Sequence, residues 1–170
     1  MYVTACLCEP TKEARHGAAW RLLESSLQTN YHLDPSELEF SRNENGKPYL
    51  VSHPHIFFSL SHAEDCAVCA ISEYPIGIDV EKIHPVSVRM KENVLSLPRN
   101  ATDEEALLRW TALESYIKCI GGSGFKVTWT DIVPKIRGAD CTIARCSDLL
   151  DERYIVTSCS LRTKNLFNKK

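Results

Sequence analysis

The sequence predicts an α+β chain of two halves, each with a helix packed on a small antiparallel sheet. Three observations lead there. Two well-separated stretches, about 12–28 and 102–120, carry apolar residues at helical spacing. Short alternating apolar runs, bounded by turn formers, occupy 2–8, 56–83 and the region beyond 125. The 170 residues contain no linker or low-complexity segment, so an N-terminal half, 1–75, and a C-terminal half, 76–170, are expected to form one compact unit. No clear internal repeat marks the halves, and the pairing rests on element order alone.

Composition narrows the class. A hydrophobic fraction of 44% and a charged fraction of 25% are ordinary for a globular protein, and a net charge of −2 gives no support for a nucleic-acid surface. The opening MYVTACLCEPTKE lacks a basic, then apolar, leader pattern, and no apolar run is long enough for a membrane span. A cytoplasmic location is therefore expected. Eight cysteines without a secretion signal argue against a disulfide framework. Zinc is also disfavoured: Cys66 and Cys69 lie in an alternating run, so a strand turns them to opposite faces. Small buried thiols are the expectation.

The elements follow in order. Residues 2–8 alternate as a short strand. From Lys12 to Gln28, Ala14, Ala18, Leu22, Leu23 and Leu27 form a helical stripe, with Asn30 as a stop. Leu38–Phe40 reads as a strand, and SRNENGKP as a turn-rich connection. IFFSLSH and CAVCAIS read as two strands joined by HAED, and PIGIDVEKI, 75–83, as a third. Between Pro85 and Pro98 the chain is irregular, with one short helix. Thr102 and Glu105 then fit a capping box for a helix through LLRWTALESYIKCI, ended by Gly121 and Gly122. Weak strands are expected around Phe125–Trp129, 141–145 and 154–160.

One strand carries chemistry. In PIGIDVEKI the residues Ile76, Ile78 and Val80 share one face, while Gly77, Asp79 and Glu81 share the other. Two carboxylates so close repel unless a positive group sits between them. On the second helix Glu114 and Lys118 are four residues apart beside the apolar stripe of Trp110, Leu113, Ile117 and Ile120. Asp79, Glu81 and Glu114 together suit Mg²⁺, which takes oxygen ligands and keeps positions open for phosphate or water. A lysine beside them would neutralise phosphate charge. This equipment suits phosphoryl transfer.

Four motifs in order make the reading specific: GKPYL, FFSLSH, PIGIDVEKI, and Trp110-x-x-x-Glu114-Ser115-Tyr116-x-Lys118 with a glycine following. Together, from Gly46 to Gly124, they resemble the 4′-phosphopantetheinyl transferases, in a short version of the monomeric, surfactin-synthetase-activating type. The resemblance implies a 4′-phosphopantetheinyl transferase fold of two pseudo-twofold-related halves, with coenzyme A and Mg²⁺ at their junction. It implies a holo-[acyl-carrier-protein] synthase activity: transfer of the phosphopantetheine arm to a serine of an acyl or peptidyl carrier protein, releasing adenosine 3′,5′-bisphosphate. Carried over by position, Asp79, Glu81 and Glu114 are metal ligands and Lys118 contacts the diphosphate. Lys47, Ser61 and His62 lie near the nucleotide's phosphates, His62 as a 3′-phosphate contact. Glu114, directly or through a water on the metal, is the candidate base for the serine proton.

Two departures stand out. Many members of this type have a lysine before the helix glutamate; here that position is Leu113. A phosphate-binding charge is then missing, or Lys126 or Arg109 substitutes. The N-terminal region is also short and lacks a basic stretch ahead of the first helix, on which Arg15 and Arg21 are read as solvating the helix, with nucleotide contact as the alternative. The alternative function is a catalytically weak paralogue that binds coenzyme A or a carrier protein. For partner docking the irregular segment 84–100 offers Arg89, Lys91 and Arg99 among Val88, Met90, Val94 and Leu95.

Overall fold

A computed structural model describes residues 1–122, 127–137 and 141–161. The chain runs through β1 (Tyr2–Leu7), α1 (Lys12–Tyr31), β2 (Phe40–Arg42), β3 (Pro48–Leu50), β4 (Phe57–Ala63), β5 (Cys66–Ser72) and β6 (Ile76–Lys82). It continues through α2 (Asp103–Cys119), α3 (Trp129–Arg137), β7 (Cys141–Arg145) and β8 (Tyr154–Leu161). The architecture is α+β. One antiparallel sheet has the order β1-β5-β4, another β6-β8-β7, and β2 and β3 form a separate hairpin. Helix α1 covers the first sheet and α2 the second.

Strand periodicity explains how the two sheets share a core. On β5, Cys69 and Ile71 face Leu23 and Leu27 of α1, together with Leu50 and Phe58. The alternate residues Cys66, Val68 and Ala70 meet Ile76, Ile78 and Val80 of β6 and Val156 of β8. Cys66 and Cys69 therefore do lie on opposite faces, and none of the eight cysteines is in a disulfide. Burial raises the thiols of Cys66 and Cys69 to about 11 and about 12. No described helix is long and apolar enough to cross a membrane.

The ends of α1 and α2 follow their chemistry. Thr11 caps α1 by accepting from the Ala14 N–H at 3.2 Å. The helix runs past Asn30, whose side chain donates back to the Ser26 carbonyl, and stops at His32 with φ 56°. Thr102 and Glu105 form the expected reciprocal capping box on α2. Gly121, at φ 70°, ends that helix.

Three sequence expectations are corrected. Leu38–Phe40 is not a strand; β2 begins at Phe40, after a helical turn over Pro35–Glu37. The expected strand around Phe125–Trp129 gives way to α3 from Trp129, with Phe125 itself outside the described residues. Thr128, whose N–H and hydroxyl both donate to Asp131 at 2.7 Å, starts that helix. In 84–100, Lys91 is buried and bound to Asp103 Oδ1 at 2.7 Å and the Ala101 carbonyl at 2.8 Å, and Leu95 is also buried. Neither is available for docking, whereas Val88, Arg89 and Arg99 are exposed.

Candidate active site

Glycine 77 brings the site together. A Cβ on Gly77 would stand 1.9 Å from the Ser115 carbonyl oxygen and 2.5 Å from the Cys119 nitrogen. Only a residue without a side chain lets α2 lie directly on β6 at this point. The close approach sets Glu114 and Lys118, which flank Ser115, over the β6 face that also carries Asp79 and Glu81. Behind that face the Ile76, Ile78 and Val80 side chains anchor the strand in the core.

The charges interlock. Lys118 Nζ lies 2.6 Å from Asp79 Oδ1 and donates to Ser61 Oγ at 2.9 Å, while Ser61 donates to the same Asp79 oxygen at 2.8 Å. Asp79 is buried, and its Oδ2 has no hydrogen-bond partner among the described residues. Burial, then the Asp79 charge, pushes the carboxyls of Glu81 and Glu114 above the ordinary range. Glu81 accepts from the Trp110 indole N–H at 3.2 Å and lies 3.7 Å from His84. Among the described residues, no three His, Cys, Asp or Glu side chains close on one point as they stand. The donor set still fits a hard divalent cation: three carboxylates within mutual charge range, one with a buried oxygen lacking a partner.

Beside these acids opens a cleft of about 380 Å³. Asp79, Glu81, Ser61, His62 and Lys118 line one side, and His16, Trp20 and Arg42 the other. His62 stands at the rim; partial burial, then the nearby charges of Arg15 and Lys118, hold its ring below the usual histidine value. The rim therefore gathers groups suited to an anion.

Several sequence-level assignments land elsewhere. The Lys47 ammonium is turned inward, donating to the Ile76 carbonyl at 3.0 Å and the Lys118 carbonyl at 2.5 Å. It ties the β2–β3 hairpin to the start of β6 and the end of α2. Burial lowers its pKa to about 8. Leu113 does not line the cleft; it is buried with Ile117 of α2 and Ile132 of α3. Arg15 donates to the Glu64 carbonyl, and Arg109 to the carbonyls of Leu95 and Ser96. Neither of them, nor Arg21, lines the cleft. Lys126 lies outside the described residues. Sequence reading missed Trp110 as a carboxylate partner and His16, Trp20 and Arg42 as cleft walls. The spacing of His16, Ala19 and Trp20, three and four residues apart, was the available signal for one helix face.

No family model matches the chain. It is 34% identical over 106 residues to 4′-phosphopantetheinyl transferase Sfp of Bacillus subtilis (strain 168), covering 57% of this chain and 47% of that protein. It is 36% identical over 91 residues to 4′-phosphopantetheinyl transferase gsp of Aneurinibacillus migulanus, covering 48% and 38%. It is also 29% identical over 127 residues to 4′-phosphopantetheinyl transferase HetI of Nostoc sp., covering 66% and 54%. The chain spans about half the length of the curated relatives it matches. On these matches and the ordered motifs that carry them, the chain is similar to the 4′-phosphopantetheinyl transferases over about half its length.

Proposed function

We propose that the protein transfers the 4′-phosphopantetheine moiety of coenzyme A to a serine of an acyl or peptidyl carrier protein, with Mg²⁺, releasing adenosine 3′,5′-bisphosphate. The observation that carries this reading is the meeting of Asp79, Glu81, Glu114 and Lys118 beside a cleft whose rim favours anions. Asp79, Glu81 and Glu114 would hold Mg²⁺, which when bound supplies positive charge to offset the diphosphate. Lys118 holds a non-bridging phosphate oxygen, positioned by Ser61 and Asp79. His62, His16 and Arg42 receive the nucleotide's remaining phosphate charge. Glu114 accepts the serine proton as the hydroxyl attacks the β-phosphorus. The bond to the α-phosphate oxygen breaks, and its electron pair leaves with the nucleotide. Lys47 acts by fixing the end of α2.

In the same reading the protein is a cytoplasmic monomer, without nucleic-acid or membrane partners, whose halves 1–75 and 76–170 are related by a pseudo-twofold axis. Leu113 is buried with Ile117 and Ile132 and does not line the cleft, which supports this reading over the weak paralogue. The test is mass spectrometry of apo acyl and peptidyl carrier proteins incubated with coenzyme A and Mg²⁺. One phosphopantetheine arm is gained with the parent protein and not with Glu114→Gln. If coenzyme A binds but none of the carriers gains mass, the weak binding paralogue replaces this reading.

A further inference from the structure

Beneath the end of α2 lies a cluster of thiols that phosphoryl transfer does not use. Cys119 at the end of α2, Cys141 of β7 and Cys159 of β8 are all buried and pack together with Leu161. Strand register and the helix crossing explain the meeting. Cys159 stands directly opposite Gly77 in the β6–β8 ladder, so its side chain points to the face on which α2 lies. On that face the bare Gly77 lets the Cys119 backbone nitrogen come within 2.5 Å of where a Cβ would stand. The thiols of Cys119 and Cys159 hydrogen-bond each other, and Cys159 also meets the Cys141 thiol.

The two sulfurs are not equivalent. Cys119 is ringed by donors: the Cys159 thiol, the backbone N–H groups of Leu161 and Gly77, and the charge of the Lys47 ammonium. Led by the hydrogen bond from Cys159, these outweigh burial and pull the Cys119 thiol below its ordinary value. The same hydrogen bond, then burial, holds the Cys159 proton in place. Cys119 also donates to the Pro75 carbonyl at 3.2 Å, and that oxygen keeps the Leu161 N–H at 3.0 Å once the Cys119 proton is gone. A thiol prone to ionise, in contact with a second thiol, is the arrangement in which oxidation at one sulfur is resolved by the other. Beside this end of α2 opens a cavity of about 250 Å³, lined by Lys47, Lys118 and Gly122 among others, which brings a small oxidant close.

We propose that Cys119 and Cys159 form a modification site for hydrogen peroxide, closing reversibly into a disulfide that displaces Lys118. The Cys119 sulfur attacks the peroxide, the O–O bond breaks, one water leaves and the sulfur carries a hydroxyl. Cys159 then attacks that sulfur: the S–S bond forms, the S–O bond breaks, and the hydroxyl leaves as water with the Cys159 proton. A disulfide of about 2.05 Å is much shorter than a contact between two thiols, so the last turn of α2 is drawn toward β8. Lys118 is the preceding residue; its carbonyl receives Lys47, and its ammonium holds Asp79 and Ser61. Loss of transfer in the oxidised chain rests on the function proposed above, whereas the bond and the movement of Lys118 do not.

The test adds hydrogen peroxide to the reduced, intact chain. Peptide mass mapping follows each cysteine, and NMR follows the Lys118 ammonium. A linked pair of Cys119 and Cys159 peptides is expected, formed at least about tenfold faster than any oxidation at Cys69. The Lys118 resonance should shift with it, and dithiothreitol should reverse both. Cys141→Ser is expected to keep the bond. Cys159→Ser is expected to lose it and to leave a sulfenic acid on Cys119 that dimedone traps. The proposal is overturned if Cys6 or Cys8 is oxidised while Cys119 and Cys159 remain thiols, or if Cys159 pairs with Cys141 instead. It is also overturned if the bond forms and the Lys118 resonance stays where it was. A chain that forms the bond and shifts Lys118, yet when reduced transfers nothing to any carrier, would sink the transferase reading and leave this site standing.

Discussion

Replacing Gly77 by alanine probes the contact on which the whole site depends. The added Cβ would sit 1.9 Å from the Ser115 oxygen and 2.9 Å from its carbonyl carbon. An ordinary carbon–oxygen contact is about 3.3 Å, so strand and helix must separate by about 1.4 Å. Neither atom is the end of a flexible side chain; both are backbone of α2, and Gly77 itself is held in the β6–β8 ladder. Overpacking costs 1–3 kcal/mol where side chains can yield, so about 3 kcal/mol or more is expected here. In a chain of this size that lowers the melting temperature by about 6–12 °C. Gly122→Ala is the control, because its Cβ would meet nothing closer than 3.7 Å. Thermal and urea unfolding, followed by circular dichroism, would measure both. A Gly77→Ala protein that melts within about 2 °C of the parent would mean that α2 does not lie on β6 as described.

Leu113→Lys tests the departure from the family pattern. Forcing an ammonium into the cluster with Ile117 and Ile132 should cost about 3 kcal/mol in urea unfolding without tightening coenzyme A binding. Tighter binding at unchanged stability would contradict the burial. Lys47 should titrate with a midpoint near 8 when its Nζ is followed by NMR. Its unfolded value is 10.5, so between these two pH values the unfolded chain binds more protons than the folded one. Parent stability should therefore rise with pH across that window relative to Lys47→Met, and a flat difference would count against the buried ammonium. Lys118→Met leaves Asp79 buried beside only Ser61, and a loss of about 1–3 kcal/mol is expected together with loss of transfer. Asp103→Asn should lower the melting temperature at neutral pH. The lowered Asp103 pKa makes that deficit vanish as pH falls through it, below the unfolded value of 3.8. A deficit that persists in acid would point away from the Lys91 pair.

What was legible in the sequence was what local chemistry controls. The alternation in CAVCAIS assigned Cys66 and Cys69 to opposite cores, and Thr102 with Glu105 marked the first turn of α2. Ile76, Ile78 and Val80 read correctly as a core face because their period matches the pleat. The failures have physical causes too. Pro134 obscured α3, although Thr128 and Asp131 carried a start signal. Lys47 was assigned to the nucleotide's phosphates and Lys91 to partner docking because nothing local reveals carbonyls supplied by residues brought in from elsewhere in the fold. Leu113 was compared with a charged counterpart, whereas its neighbour Ile132 comes from a helix that the spacing did not disclose. The roles of Gly77 and Trp110 could not be read locally either. One is set by the crossing of two elements 38 residues apart, counting Gly77 to Ser115, and the other by a hydrogen bond over 29 positions.

The pairing of β6 with β8 also has a consequence for how the molecule forms. Ile76 is opposite Ser160, and Lys82 is opposite Tyr154. The strand bearing Asp79 and Glu81 thus waits for a partner made 72–84 residues later, while β1, β4 and β5 all lie within the first 72. During synthesis the first sheet and α1 can close before β8 has emerged. Until then β6 lacks its ladder partner, and loop closure over this length makes the second sheet the slower step. Pulse-labelled hydrogen exchange during refolding should show β5 amides protected before those of β6. Full alignment of the acids then arrives only with the last described strand, so a nascent chain cannot acquire the finished candidate site ahead of its finished fold.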